Sequence, residues 1–204
     1  MVAAHREDAT ARHNASDVLH QVGAVDRAVY EAVASVPTPA LDRVMRGLSG
    51  AADHSVLWLG IAAAIAGQGP SGRRAAARGL LAIGAASALV NLGMKALAAR
   101  RRPDRVGTGV PGQRHVRMPS STSFPSGHSA SAFAFAAAVG RDRPWAGAAL
   151  QFLAGAVAYS RVHTGVHYPG DTIAGALIGI GTGQLVASGF DRLGPGSPTC
   201  DSRA

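Results

Sequence analysis

The sequence is poor in charge, in aromatic residues and in cysteine. Charged residues make up 16% of its 204 residues, against about 25% in soluble domains, which excludes a disordered chain because such chains are polar and highly charged. Cys200 is the only cysteine, so an intrachain disulfide scaffold is also excluded. The chain is the length of one domain, and within it 47% of the residues are hydrophobic and 26 are glycine.

Long stretches carry no charge at all, because the few charges are concentrated between them. Each of five segments lacks Asp, Glu, Lys and Arg and approaches the roughly 20 residues that a helix needs to cross a bilayer. They are Ser55–Gly72, Gly79–Met94, Met118–Gly140, Pro144–Ser160 and Thr172–Phe190. The third is expected to begin near Gly127, since Met118–Ser126 is rich in Pro and Ser. The sequence therefore predicts an all-α integral membrane helical bundle of about five transmembrane helices, since a soluble bundle would have too little polar surface to cover them.

The last apolar segment carries glycines at a spacing of four residues. Gly175, Gly179 and Gly183 lie on one face of the predicted helix, and such small-residue faces let two helix backbones approach closely. We expect this face to pack inside the monomer rather than in a dimer interface. The oligomeric state stays open.

Residues 1–54 differ from the rest in carrying both signs of charge and no apolar run of the signal-peptide type. Six valines fall at helical spacing on one face, which predicts an amphipathic helix with Asp17 as its cap. These valines are Val18, Val22, Val25, Val29, Val33 and Val36. Asp26, Arg27 and Glu31 exclude a spanning helix here, so the helix is expected either in the membrane interface or against the polar end of the bundle. The predicted organisation is an N-terminal amphipathic segment (1–54), a transmembrane domain (55–190) and a disordered tail (191–204).

Three polar clusters interrupt the apolar segments at their ends. They are Lys95–Pro103, Pro125–His128 and Ser160–Asp171. Polar groups in a membrane bundle are costly and therefore mark function. Threading five helices up and down brings all three clusters to the same membrane face. We expect one site, assembled from helix ends and the loops between them.

The residue types in these clusters are those of an anion site. Lys95, Arg102 and Arg161 supply positive charge and many N–H donors for phosphate oxygens. A helix that opens at Ser126 and Gly127 would present free backbone N–H groups, which also favour an anion.

Two histidines accompany this predicted anion site. His128 and His167 suggest phosphoryl transfer with a histidine nucleophile and a histidine acid. Asp171 lies four residues after His167 and could hold one ring nitrogen, which fixes the tautomer of the imidazole.

Together the three clusters resemble the complete three-part signature of the type-2 phosphatidic acid phosphatase superfamily. The matching residues are Lys95, Arg102, Pro103, Pro125, Ser126, Gly127, His128, Ser160, Arg161, His167 and Asp171. The resemblance implies a metal-independent phosphatase that needs no cofactor. It also implies that His167 attacks phosphorus to form a phosphohistidine, that Asp171 orients His167, and that His128 protonates the leaving oxygen and then activates water. The implied ligands of the phosphoryl oxygens are Lys95, Arg102, Ser126, Gly127 and Arg161.

The membrane setting favours a lipid-linked phosphate as substrate. The small size, the N-terminal helix and the high Ala, Gly and Arg content resemble phosphatases that act on decaprenylphosphoryl-5-phosphoribose, so polyprenyl-linked substrates are favoured. Phosphatidate, phosphatidylglycerophosphate and undecaprenyl diphosphate are alternatives. Two further alternatives are a vanadate-dependent haloperoxidase, whose anion site is similar, and a non-catalytic lipid-binding or transport protein.

Charges outside the signature have simpler interpretations. Arg100, Arg101 and Arg105 are expected to be interfacial charges. His163 precedes His167 by four residues, but a metal ion beside three cationic side chains is electrostatically unfavourable, so no metal site is expected. The net charge of +8 is ascribed to an anionic membrane surface and a phosphate substrate. Nucleic acid is not an expected partner, because the basic residues are not interleaved with aromatic ones.

The expected location is the bacterial plasma membrane. Lys and Arg are slightly more frequent on the side of the predicted site, and the N-terminal segment has no export signal. The positive-inside rule then places the site on the cytoplasmic face.

Overall fold

The computed structural model describes residues 2–193, which form helices and loops without a strand. Proline begins four of the helices, a position where its missing N–H costs no hydrogen bond. The helices are α1 (Val2–Ser35), α2 (Pro39–Ala51), α3 (Val56–Ala66), α4 (Pro70–Ala88), α5 (Lys95–Leu97), α6 (Gly127–Asp142), α7 (Pro144–His163) and α8 (Pro169–Leu193). A wider helical turn, Leu89–Met94, joins α4 to α5, and short 3-10 turns lie at Asp53–Ser55 and Gly112–Arg114.

Helix α6 is the centre of the bundle and packs against α4, α7 and α8. Its small side chains, such as Ala130 and Ala134, are fully buried. A Cβ atom on Gly175, Gly179 or Gly183 of α8 would collide with main-chain carbonyl oxygens of α6 or of the residue that caps it. The prediction that these glycines pack inside the monomer is confirmed, because only their lack of a side chain permits this close approach.

Two helical segments are long and apolar enough to cross a membrane, Pro70–Met94 and Pro169–Arg192. A third candidate is the pair Pro39–Ala51 and Asp53–Ala66, which is bent by 64° at its break. Length and composition thus support two or three spans in the described part of the chain. The predicted number of about five is not confirmed.

The first predicted span, Ser55–Gly72, is not one helix. Helix α3 ends at Ala66 after 11 residues, and the chain turns through Gly69, which has a φ of 94°. Pro70 then begins α4 in a new direction. Glycine and proline next to each other explain the break, since one supplies a left-handed turn and the other starts a helix.

The N-terminal helix is present, but Asp17 does not cap it, because α1 already begins at Val2. One side of α1 packs on the bundle through Tyr30 and Ala34, which are buried with Val110 and Val162. Five of the six predicted valines are exposed, and Val33 is partly buried. The helix is therefore docked on the bundle and still presents an apolar stripe outward.

Helix α8 continues past the predicted end of the last span at Phe190. Asp191 is part of α8 and accepts hydrogen bonds from Arg78 and Arg141. The predicted disordered tail is therefore wrong for residues 191–193, where ion pairs hold the last helical turn. Residues 194–204 of that tail, and Cys200 with them, lie outside the described residues.

Candidate active site

A polar cavity of about 210 Å³ lies at the end of the bundle where α4 and α5 finish and α6 begins. Its lining includes residues from all three polar clusters, which the structure brings together as predicted. The predicted site residues in the lining are Lys95, Arg102, Gly127, His128 and His167. Helix ends and connecting loops therefore form one site.

His167 lies in the loop between α7 and α8, where Gly165 turns the chain with a φ of 73°. Its Nε2 is 3.1 Å from Nη1 of Arg102, and its Nδ1 is 3.5 Å from a carboxylate oxygen of Asp171. The pKa of His167 is lowered to about 4, mainly by burial; the positive charges of Arg102 and Arg161 contribute to the shift and Asp171 opposes it. The imidazole is therefore neutral at physiological pH, as a nucleophile must be.

Asp171 stands in the first turn of α8 and is fully buried. One carboxylate oxygen accepts hydrogen bonds from the Tyr168 N–H (3.0 Å) and from the Ser123 hydroxyl. The other oxygen accepts from Nη1 of Arg100 at 2.8 Å. The spacing of four residues from His167 brings the two side chains together, and these donors fix the carboxylate beside the ring.

Arg100 is not an interfacial charge, and that prediction is wrong. Besides its bond to Asp171, it donates to Asp26 of α1 at 2.5 Å, and its guanidinium lies 4.3 Å from the centre of the Tyr168 ring. Arg100 thus ties α1 to the carboxylate that faces His167. Its neighbour Arg105 donates to the main-chain carbonyl of Val116, which holds the loop.

The site carries positive charge with few carboxylates to balance it. Lys95 donates to the Ser121 hydroxyl at 3.0 Å, and Arg102 donates to the main-chain carbonyls of Ser121, Thr122 and Val166. Neither forms an ion pair within the described residues. Burial lowers the pKa of Lys95, and the positive charge of the nearby Arg102 adds to this shift. Such a cluster attracts an anion.

Two of the predicted phosphate ligands are engaged elsewhere. Ser126 is fully buried outside the cavity lining: its hydroxyl accepts from Ser129 and caps α6, and its N–H donates to the Asp171 carbonyl. Arg161 is buried, donates from Nη1 to the Ser49 hydroxyl at 2.6 Å, and lies outside the lining as well. Gly127, by contrast, lines the cavity in the first turn of α6, next to the ammonium of Lys95.

The second histidine of the site has a partner that the sequence analysis missed. Nε2 of His128 lies 2.7 Å from a carboxylate oxygen of Asp53, in the break between α2 and α3. Asp53 lies two residues before the first apolar segment, on the side where the other clusters meet, and that position is the signal in the sequence.

His163 is not half of a metal pair with His167. Its Nε2 bonds Asp42 at 2.8 Å, and Asp42 also accepts from Arg114 at 2.7 Å. All three side chains are buried. This network fastens α7 to α2 and to the loop before α6. No group of three or more metal-ligating side chains occurs among the residues that the structure describes.

Residues 76–194 match the family model of the PAP2 superfamily, so the chain belongs to this superfamily of phosphatases. The fold agrees. The chain superposes with a TM-score of 0.68 on the transmembrane PAP2-type phosphatidylglycerolphosphate phosphatase of Bacillus subtilis, at 24% identity over 87% of this chain and 90% of the other. It superposes on Aquifex aeolicus LpxE with a TM-score of 0.63, at 25% identity over 78% of this chain and 93% of the other.

A more specific similarity comes from mycobacteria. The chain is 36% identical over 167 residues to the decaprenylphosphoryl-5-phosphoribose phosphatase of Mycobacterium tuberculosis, covering 79% of this chain and 88% of that protein. It is 35% identical over 133 residues to the protein of the same name from Mycolicibacterium smegmatis, covering 64% and 68%. With its apolar helices and these relatives, the chain is an integral membrane protein of a phosphatase family.

Proposed function

We propose that the protein removes the phosphate from a lipid-linked phosphate by way of a phosphohistidine at His167. The observation that supports this most strongly is the surroundings of that ring. Nε2 borders the cavity beside Arg102, whereas Nδ1 lies toward Asp171. A neutral imidazole that keeps its proton on Nδ1 has its electron pair on Nε2, next to the cation that would hold the phosphoryl oxygens.

In the first half of the reaction, Nε2 of His167 attacks phosphorus and the P–O bond to the leaving group breaks. Lys95, Arg102 and the N–H of Gly127 stabilise the charge on the phosphoryl oxygens. His128 gives its proton to the leaving oxygen. The products are the dephosphorylated lipid, which carries a hydroxyl group, and the phosphohistidine.

In the second half, water attacks the phosphorus of the phosphohistidine. His128, now neutral, takes a proton from this water, and the P–N bond breaks. Inorganic phosphate leaves, His167 returns to its neutral form, and Asp171 still faces Nδ1. His128 thereby regains the proton that it gave to the leaving oxygen in the first half of the reaction.

This mechanism needs no divalent metal ion, because Lys95, Arg102 and the nearby Arg161 already supply the positive charge that a phosphoryl group requires. We expect EDTA to leave activity unchanged and vanadate to inhibit by adopting the five-coordinate geometry of the transition state. Activity that disappears with EDTA and returns with Mg²⁺ would contradict the proposal.

The favoured substrate class is a polyprenyl-linked phosphate such as decaprenylphosphoryl-5-phosphoribose, supported by the identity of 36% with the mycobacterial phosphatase of that name. The test is phosphate release in detergent from this lipid, from phosphatidylglycerophosphate and from undecaprenyl diphosphate. We expect the highest kcat/KM for the polyprenyl-phosphoribose substrate. A preference for the glycerolipid would overturn this choice of substrate.

The same assay tests the proposed nucleophile independently of the substrate preference. His167→Ala should release no phosphate from any of the three lipids. His20→Ala is the matched control, because His20 is exposed on α1 away from the cavity, and it should behave as the unmodified protein.

We further propose that the site faces the cytoplasm of a bacterial cell. The slight excess of Lys and Arg on the site side supports this orientation. In a Cys200→Ser background, an Ala4→Cys variant should react with a membrane-impermeant thiol reagent only after the cells are permeabilised. Labelling of intact cells would reverse the orientation.

A further inference from the structure

The chain bends sharply at the junction between α2 and α3. The two helices meet at an angle of 64°, and the residues that follow Asp53 both have left-handed backbones, with φ of 52° at His54 and 62° at Ser55. Neither residue is glycine, so this conformation costs free energy. Such strain is found where a side chain must be presented in one particular direction. Here the strained residues line the cavity, and Asp53 directly precedes them.

The carboxylate of Asp53 meets two groups of the site described above. One oxygen is 2.7 Å from Nε2 of His128 and 3.6 Å from Nη1 of Arg161. Arg161 is anchored by its bond to the Ser49 hydroxyl in α2. Asp53 therefore stands between the proposed proton donor and a buried arginine, and it comes from a part of the chain outside the family signature.

The contact decides which nitrogen of His128 is available for chemistry. Because Nε2 faces Asp53, the proton on Nε2 is held by the carboxylate. Only Nδ1 is then left to give a proton to the leaving oxygen. When both ring nitrogens of His128 are protonated, the ring is positively charged and close to the positive charge of Arg161. The carboxylate between them offsets this repulsion. The pKa of His128 is lowered to about 4, first by burial and then by Arg161, while Asp53 opposes this shift and so favours the charged, proton-donating form.

We propose that Asp53 is a positioning residue for His128, fixing the ring through Nε2 so that Nδ1 delivers the proton to the leaving group. The inference rests on the proposed function. Each histidine of the site then has its own carboxylate. Asp171 faces Nδ1 of His167 and leaves Nε2 for phosphorus, while Asp53 faces Nε2 of His128 and leaves Nδ1 for the leaving oxygen.

The test uses two substrates that differ in how much they need an acid. An alkyl phosphate, such as the preferred lipid, expels a strongly basic alkoxide that must be protonated. p-Nitrophenyl phosphate expels a weakly basic phenolate that needs little help. We expect Asp53→Asn in the full chain to lower kcat on the lipid by about 10- to 100-fold. On p-nitrophenyl phosphate the loss should stay within about threefold, and KM for both substrates should change little.

Three further variants make the result specific. Asp53→Glu keeps the charge and should recover part of the lost kcat. Asp53→Asn added to His128→Ala should cause no further loss, because the two residues act as a unit. Asp104→Asn is the matched control: Asp104 accepts hydrogen bonds from the amides of Val106 and Gly107 in an exposed loop, and both activities should be unchanged.

Two results would overturn the inference. An equal loss on both substrates would make Asp53 a purely structural residue. A fall in KM on both substrates, without loss of kcat, would mean that Asp53 competes with phosphate for Arg161. His167→Ala, measured alongside, tests the proposed function separately: it must lose both activities, and if it retains them the mechanism fails and the role of Asp53 fails with it.

Discussion

Both ends of the bundle contain several arginines, but the buried arginine at one end is paired with carboxylates, whereas the cations that line the cavity at the other end are not. At the end away from the cavity, Arg78 is fully buried and forms ion pairs with Asp142 at 3.1 Å and with Asp191. Arg141 reaches Asp191 at 3.1 Å as well. At the cavity end, Lys95 and Arg102 bond only hydroxyls, carbonyls and a histidine ring among the described residues.

This difference distinguishes arginines that stabilise the fold from cations that are available to bind an anion. A buried charge is costly unless it is paired, and at the far end acidic side chains of α6 and α8 pair it. At the cavity end, Lys95 and Arg102 lie beside a neutral imidazole and form no ion pair among the described residues, so a phosphoryl group could bind to both. Arginine content alone does not mark an anion site; the missing carboxylate does.

The largest effect is expected at the cavity end from His167→Ala. Removing the nucleophile should lower kcat by about 10⁴-fold or more, while the protein still purifies as a folded monodisperse species, because the side chain lies on the cavity and not between helices. Phosphate release and size-exclusion chromatography measure the two effects. Residual activity within tenfold of the unmodified protein would remove His167 from the chemistry.

The comparison of the two ends is tested most sharply by matched arginine variants. Arg102→Gln should lower kcat/KM by about 10²- to 10³-fold, because a preorganised donor to the phosphoryl oxygens is lost. It also removes hydrogen bonds to three loop carbonyls, so some loss of thermal stability is expected, and the loss of kcat/KM is what distinguishes this variant.

Arg78→Gln should do the opposite. It leaves acidic groups at the far end without their buried partner, so the midpoint of thermal unfolding in detergent should fall by about 5 °C, while kcat/KM changes less than threefold. If Arg78→Gln and Arg102→Gln behave alike, the distinction between the two ends is wrong.

A smaller effect is expected from Arg100→Gln. Arg100 acts through Asp171 and does not line the cavity, so loss of its charge-assisted bonds should lower kcat about tenfold with little change in KM. Arg101→Gln is the control, since Arg101 is exposed next door. An equal loss in both variants would point to the general charge of the loop instead.

The smallest effect is expected from acidification. The pKa of His167 is lowered to about 4, mainly by burial, so the nucleophile loses its electron pair only below that pH. An ordinary imidazole with a pKa of about 6.5 would be roughly nine-tenths protonated at pH 5.5. We therefore expect kcat on p-nitrophenyl phosphate at pH 5.5 to remain within about threefold of its value at pH 6.5. A fall of about fivefold over that interval, as an imidazole with a pKa of about 6.5 would give, would contradict the neutral, buried His167.

The sequence predicted the cavity end well because its residues stand at fixed spacings next to helix ends. Lys95, Gly127 and His167 meet as expected, since uncharged segments that run up and down must bring their ends together. Asp171 reaches His167 because it stands in the first turn of α8, only four residues after His167 in the preceding loop. Such local regularities are visible in a single chain.

What the sequence did not predict depends on contacts between distant parts of the chain. Asp26 and Arg100 are 74 residues apart, and Asp53 and His128 are 75 residues apart. No spacing rule connects such pairs. The break of the first apolar segment at Gly69 has a different cause: a segment without charge need not be one continuous helix, and here glycine and proline divide it.

Trapping the covalent intermediate tests the proposed phosphohistidine mechanism most directly. The protein is mixed with a substrate that carries ³²P in the terminal phosphate, quenched in alkali within milliseconds to seconds, and examined for labelled protein. The prediction is a label that is stable in alkali and lost in acid, as a phosphohistidine is, that maps to the peptide containing His167 and is absent from His167→Ala. A label that survives in His167→Ala, or that lies on any other residue, would contradict the central claim.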